Sequence, residues 1–359
     1  MQRPLSISAH FPLIFENTQL PLAVLNGKQP HVLLLSIMTL DEIKKPIDAE
    51  LDAFEVHFRD SMRSKVALLD KIMFYIVQRK GKQVRPMFVF FAAKLCGDIN
   101  EASFVGASLV ELLHTASLVH DDVVDDSYER RGFFSINALW KNKIAVLVGD
   151  YMLTQGLAIA LKNNQSKLLA IMSDAFSQIT EGELLQIEKA RRLDIKEEIY
   201  YNIISKKTAS LIAAACAVGA ASTTTDETMI EKMRLFGEKI GIAFQIRDDL
   251  FDFGTDDIGK PLGIDIKEKK MTLPLIYALN QADRSNRNRI INIVKRHSEE
   301  PARVAEVIDF VRKSGGLPYA EDAMRRYRAE AIEILRGFPS SVVRESLEQL
   351  VMYVTERKK

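Results

Sequence analysis

No proline falls between Met87 and Lys260, and that interval constrains the fold more than any other feature of this sequence. Proline breaks a helix because it lacks an N–H and clashes with the preceding turn, so its absence permits helices of unusual length. Apolar residues recur at the matching period: Leu51, Phe54, Phe58 and Met62, then Leu69, Ile72 and Ile76, fall three and four positions apart. Within the proline-free interval the pattern pauses near Gly97-Asp98, Arg131-Gly132, Asn163-Asn164, Arg192-Leu193 and Thr223 to Thr225. Nothing there reads as a strand ladder. Long helices joined by short breaks become antiparallel neighbours, so the expected class is all-α, a single large helical bundle around a central space. Beyond Pro261, shorter helices are expected at about Leu273 to Gln281, Arg287 to His297, Ala302 to Lys313, Tyr319 to Arg336 and Ser341 to Arg357.

Four of the eleven prolines, Pro4, Pro12, Pro21 and Pro30, crowd into a segment without sustained helical period. Residues 1–37 therefore read as a poorly patterned extension, with Met38 as an alternative start, and residues 38–359 as the functional domain. With 49 basic and 48 acidic residues the formal charge is +1, which gives no bulk field for nucleic acid. The two cysteines, Cys96 and Cys216, sit in apolar stretches and read as small core residues, so the cytoplasm is the expected compartment. The apolar run Leu211 to Ala221 is shorter than the ~18–20 residues a membrane-spanning helix requires, so no span is expected.

Two acidic clusters carry the chemistry. His120-Asp121-Asp122-Val123-Val124-Asp125-Asp126 and Arg247-Asp248-Asp249-Leu250-Phe251-Asp252 each contain Asp-Asp-x-x-Asp within apolar sequence. On a helix the outer carboxylates are four residues apart on one face, where like charges repel by ~0.2–0.5 kcal/mol per exposed pair. An uncompensated charge near the core costs far more, so bound cations are expected to neutralise them. Hard oxygen donors without a histidine or cysteine cage suit magnesium, which completes its shell with water and substrate phosphate. One such cluster would read as a solvated helix face; two matched clusters argue for a di- or triphosphate ligand. Arg130-Arg131 after the first and Lys260 to Lys270 after the second supply further phosphate partners.

With these residues in view, the sequence resembles the trans-isoprenyl diphosphate synthases from about Met38 to the C-terminus. Gly81-Lys82-Gln83-Val84-Arg85-Pro86 is similar to that family's Gly-Lys-x-x-Arg-Pro loop, Glu111 to His120 to the approach to its first motif, and Phe244-Gln245 to the entry to its second. The resemblance implies the fold of farnesyl diphosphate synthase, in a homodimer, with the two clusters facing each other across a deep cavity. It implies that Asp121, Asp122 and Asp125 hold two magnesium ions on the allylic diphosphate, and that Asp248, with Asp249 and Asp252, holds a third. These aspartates and Lys207 form the implied catalytic set. Arg130, Lys207, Lys260 and Lys270 are implied to bind the allylic diphosphate, such as farnesyl or geranyl diphosphate. Lys82, Arg85, His114 and Arg131 are implied to bind isopentenyl diphosphate, and Thr208 and Gln245 to line the reacting centre. Taken alone, His114 reads as a core histidine and Lys206-Lys207 as a solvated pair; Lys207-Thr208-Ala209 owes its functional reading to the family context. Glu181, Glu183 and Gln186 match another family helix and read as support.

The sequence departs from the commonest pattern at Lys80, where glycine is usual, at Gln83, where arginine is frequent, and at Lys269, which leaves either Lys269 or Lys270 to reach phosphate. Asp126 is a carboxylate beyond the minimal motif. The implied reaction is head-to-tail condensation of isopentenyl diphosphate onto an allylic diphosphate, with an apolar cavity shielding the cation from water. A class I terpene cyclase would have no use for Lys82, Arg85, His114 and Arg131. Retention of both motifs and all the basic ligands argues against a non-catalytic subunit. Ala116 and Ser117 lie about one turn, ~5.4 Å, before Asp121, where short-chain members carry a bulky aromatic. Their small size implies an open passage past Leu113 and Leu109, along Met152, Gln155, Gly156 and Ile159, and so a long product of the kind used in quinone side chains. The alternative is that they simply allow close helix packing.

Overall fold

The computed structural model describes residues 38–78, 81–130, 132–193, 196–254 and 262–356. The described helices are α1 (Leu40–Lys44), α2 (Asp48–Ser61), α3 (Ala67–Gln78), α4 (Val84–Cys96), α5 (Glu101–Val124), α6 (Ile136–Lys162), α7 (Ser166–Arg192) and α8 (Glu197–Ile204). They continue with α9 (Ser210–Ala221), α10 (Glu227–Phe251), α11 (Ile264–Lys267), α12 (Leu273–Gln281), α13 (Arg284–Arg296), α14 (Pro301–Lys313), α15 (Gly316–Arg336) and α16 (Val342–Glu356). Their starts are written in polar side chains that satisfy the unpaired N–H groups of the first turn. Asn100 and Ser103 form a capping box for α5. Ser135 caps α6, Asp226 accepts from Thr228 N at 2.8 Å for α10, and Asp283 caps α13.

The five expected C-terminal helices stand as α12 to α16, with ends shifted by a few residues at most. Two expectations need correction. A two-residue antiparallel ladder, β1 (Glu129–Arg130) with β2 (Phe133–Phe134), does form, because the chain must reverse between α5 and α6. Three stretches are also long and apolar enough to cross a membrane by length and composition: Glu101–Val124, Ile136–Lys162 and Glu197–Ala221. The expectation of none counted uninterrupted runs, whereas these average a high hydropathy around isolated polar residues. In the first and third, 67% and 72% of the apolar window is buried inside the molecule, but in Ile136–Lys162 only 33% is. That helix, α6, leaves Leu139, Val146, Leu147, Leu157 and Leu161 exposed.

Helix α9 is the centre of the packing, buried along almost its whole length. It lies against α4, α7 and α10, and close approach is secured by small residues. A Cβ on Gly237 of α10 would stand 2.6 Å from the Ile212 carbonyl oxygen, and one on Gly241 would stand 2.5 Å from Ala209 Cα, so only glycine fits this crossing. Around this axis the buried Phe54 and Phe90 and the half-buried Phe104 meet edge to face, each such pair adding ~0.5–1.5 kcal/mol beyond its buried area. Helices α8 and α9 form one rod interrupted by a π-helical turn, Ser205–Ala209, which carries Lys207 and Thr208.

Candidate active site

Both acidic clusters end a helix. Asp121 and Asp122 occupy the last turn of α5, and Asp248 and Asp249 the last turn of α10. The carboxyl end of a helix carries partial negative charge, so aspartates there are disfavoured twice, by the dipole and by each other. The local folding therefore creates a demand for positive charge. Part of it is met within the chain: Arg130, brought back by the β1–β2 reversal, donates from Nε to Asp122 Oδ1 at 2.7 Å. The Asn137 side-chain amide donates to the Asp122 carbonyl at 3.0 Å and fixes the same corner.

A cavity of about 880 Å³ opens beside this corner. Its lining brings together Lys82, Arg85, His114, Ser117, Asp121, Asp122, Arg130, Lys207 and Thr208. Its remaining wall is largely apolar, including Phe88, Phe176, Ile179, Leu211 and Ile240. Burial raises the Asp121 carboxyl above its usual range, and the charge of Glu183 raises it further. Burial also raises Asp122, against the pull of Arg130. Asp125 and Asp126 are exposed at the end of α5, Asp126 with φ 49°.

The second cluster divides its labour. Asp249 is buried: Tyr200 Oη donates to its Oδ2 at 2.6 Å and Gln245 Nε2 to its Oδ1 at 2.8 Å. Burial, reinforced by the nearby Asp265 charge, pushes this carboxyl up to about 8. Asp252 turns forward along the chain, where Oδ1 accepts from Ile264 N at 2.8 Å and Oδ2 from Asp265 N at 3.2 Å, holding the start of α11. Burial and Asp265 raise it to about 6 despite those N–H donors. Asp248 is half-buried. Lys270 pairs with Glu268 and lies 3.8 Å from Asp265. Burial opposes its charge but is outweighed by Glu268, Asp265 and the more distant Asp125, so its ammonium is held above the usual range. The pull of Asp125 on Lys270 ties the first cluster to the segment just beyond the second.

The π turn links α7 to α10. Lys207 reaches Glu183 of α7 at 2.5 Å and Gln186 at 3.4 Å, while Thr208 Oγ1 donates to Gln245 Oε1 at 2.8 Å. π-Helical turns gather at functional sites because the extra residue re-aims side chains. A Cβ on Gly182 would stand 2.8 Å from Lys207 N, so glycine there lets α7 approach the turn. Lys207 and Thr208 also line a smaller cavity of about 170 Å³ with Tyr200, Gln245, Asp249, Lys269 and Lys270. Both candidate lysines thus border one space.

Arg131 and Lys260 lie outside the described residues. Ser117 lines the main cavity, its Oγ donating to the His114 carbonyl at 2.8 Å, but Ala116 does not. Ala116 is fully buried on the stripe of Leu109, Leu113 and His120, which meets α6: a Cβ on Gly156 would stand 2.6 Å from Leu113 Cδ1. The passage expected along Leu113, Leu109, Met152 and Gly156 is a closed seam of packed side chains. The residues that sequence reasoning passed over are Tyr200 and Tyr353. Tyr353 of α16 accepts from Lys82 Nζ at 3.1 Å and offers its ring to that ammonium at 5.4 Å. Both are aromatics in helical pattern, which reads as core. Glu183, ranked as support, pairs directly with Lys207 and faces the main cavity.

Among the described residues no three His, Cys, Asp or Glu side chains form a metal cage by themselves. The oxygen donors are instead divided, Asp121 and Asp122 on the main cavity and Asp249 on the smaller one, and a hard divalent cation held by one or two carboxylates completes its shell with water and phosphate oxygens. The sequence matches the family model described as polyprenyl synthetase over residues 66–311. An octaprenyl diphosphate synthase of Escherichia coli (strain K12) is 33% identical over 328 residues, covering 89% of this chain and 99% of the relative. A short chain isoprenyl diphosphate synthase of Methanothermobacter thermautotrophicus is 36% identical over 291 residues, 79% of this chain and 89% of the relative. Among solved structures, a polyprenyl synthase from Caulobacter crescentus CB15 complexed with calcium and isoprenyl diphosphate aligns with a TM-score of 0.83. It is 32% identical and covers 90% of this chain and 99% of that one.

Proposed function

This chain belongs to the polyprenyl synthetase family, and on that premise we propose that its cavity joins an allylic diphosphate to isopentenyl diphosphate, head to tail, to build a long polyprenyl diphosphate. The observation that carries this reading is the lining of one apolar cavity by two sets of phosphate partners: Lys82, Arg85 and His114, and Arg130 and Lys207 beside Asp121 and Asp122. A single diphosphate leaves one set without work.

Asp121, Asp122, Asp125 and Asp248 would hold magnesium, with three ions to a site. When bound, magnesium supplies Lewis-acid stabilisation of the departing diphosphate. Arg130, Lys207 and Lys270, with Lys260, bind that diphosphate. Lys82, Arg85 and His114, with Arg131, hold isopentenyl diphosphate so that its double bond faces the allylic carbon, which converts an encounter into a positioned reaction. Phe88, Ile179, Leu211 and Ile240 keep water from the allylic cation. The double bond attacks, a carbon–carbon bond forms, and a proton leaves to the released diphosphate. Ser117 at the cavity wall, with no bulky aromatic there, leaves room for a long chain.

The working body in this reading is residues 38–359, in the cytoplasm, paired with a second copy through the exposed apolar face of α6. Purified protein incubated with farnesyl diphosphate, labelled isopentenyl diphosphate and magnesium tests the proposal. A ladder of extended products ending at a long chain is expected. No incorporation of label, or arrest at farnesyl diphosphate when geranyl diphosphate is the primer, would overturn the activity or the length respectively.

A further inference from the structure

Tyr200 lies outside both acidic clusters and outside every motif that carries the family resemblance, yet its hydroxyl is the buried end of a chain of polar groups that runs to the half-buried Gln245 and Thr208. It donates to Asp249 Oδ2 at 2.6 Å, Gln245 Nε2 donates to Asp249 Oδ1 at 2.8 Å, and Thr208 Oγ1 donates to Gln245 Oε1 at 2.8 Å. Tyr200 and Asp249 are each only 4% exposed, so water does not compete for the bond between them.

The directions follow from the two ends of the Gln245 amide. Its NH2 faces Asp249 Oδ1, which accepts. The amide oxygen of Gln245 then faces Thr208 and takes its hydroxyl proton. Thr208 is left with oxygen lone pairs, and no hydrogen, to present elsewhere. Thr208 lines the main cavity beside Asp121 and Lys207, whereas Gln245, Asp249 and Tyr200 line only the smaller one behind it. The outcome of the chain is thus read at a single atom, Thr208 Oγ1, where the cavity needs an electron-rich group against a positively charged carbon.

Resting on the prenyltransferase reading, we infer that Tyr200 is a positioning residue that, through Asp249 and Gln245, fixes Thr208 as a lone-pair donor toward the reacting allylic carbon. Asp249 then serves as a strut within the protein and Asp248 as the outward-facing member of the pair.

Tyr200→Phe removes only the hydroxyl. It should lower kcat about tenfold, leave KM for both diphosphates within twofold and leave the magnesium concentration for half-maximal rate unchanged. A larger share of the consumed allylic diphosphate should appear as the free alcohol. Gln245→Met cuts the same chain at its middle while the Tyr200–Asp249 pair stays, and should give the same kcat-against-KM split even if Tyr200→Phe folds poorly. In a double-mutant cycle the effect of Tyr200→Phe should vanish when Thr208 is already Val. An unchanged kcat in Tyr200→Phe, a loss confined to KM or rescued by more magnesium, or additive losses in the cycle would overturn the inference while wild-type extension activity still stands. Absence of that wild-type activity would instead bring down the prenyltransferase reading and the inference with it.

Discussion

Lys207 and Glu183 meet at 2.5 Å across the gap between the π turn and α7, in the cavity that Asp121 also lines. In the proposed reaction a diphosphate must therefore draw Lys207 away from a carboxylate that also repels the ligand. Because both side chains are about a third exposed, the pair itself adds little to stability. Lys207→Gln should keep the melting temperature within a few degrees and weaken an unreactive allylic diphosphate analogue about tenfold or more in calorimetric titration. Unaltered affinity would remove Lys207 from the diphosphate site.

The first cluster should separate into two phenotypes. Asp121→Ala and Asp122→Ala should both lower turnover by orders of magnitude at saturating magnesium. Only Asp122→Ala should also lose stability, by about 1–3 kcal/mol, because it strands Arg130 beside a buried position. Thermal melts of the two variants side by side would decide this; equal melting temperatures would mean that the Arg130 pair is not formed in solution.

Asp249 predicts a pH dependence. Unfolded, it titrates near the ordinary value of about 3.9; folded, burial holds it at about 8. Between those values the folded chain binds the extra proton, so this group's contribution to stability falls as pH rises across that window. Asp249→Asn removes the titration. In metal-free buffer its melting temperature relative to wild type should climb by several degrees between pH about 5 and pH about 8. A difference that stays flat with pH would show that Asp249 is not held up by burial.

Ala116 and Ser117, adjacent in sequence, should respond oppositely to the same substitution. Ser117→Phe plugs the cavity wall and should shorten the products while sparing the first condensations. Ala116→Phe drives a ring into the α5–α6 seam and should cost about 1–3 kcal/mol or prevent folding, with product length unchanged in whatever folds. Chain-length analysis of both variants provides the check, and a longer or unaltered product from Ser117→Phe would exclude it as a determinant.

Helix positions and the two acidic clusters were open to a reading of the sequence because each rests on local pattern: the period of the apolar residues, proline placement, and carboxylates four apart. The direction of each carboxylate was not. Asp248, Asp249 and Asp252 look alike in sequence, and only the packing of α8 and α11 against α10 sends Asp249 to Tyr200 and Asp252 to the Ile264 amide. The same holds for Ala116, whose smallness fits an open passage or a tight seam equally well until the position of Gly156 is known. The apolar character of α6 was diluted in the sequence by isolated polar residues and became visible when its exposed leucines could be seen on one helix.

The π turn at Ser205–Ala209 holds one residue more than an α-helical turn would. Deleting a single residue there would restore ordinary helix, rotating α8 by about 100° and shifting it by ~1.5 Å relative to α9. The half of the rod that is locked into the interior, α9, would keep its seat, while α8 would swing Tyr200 off Asp249. Residue count in this short stretch thus acts as a phase setting between scaffold and chemistry, and an insertion or deletion here could retune the reactive wall without the interior having to be solved again.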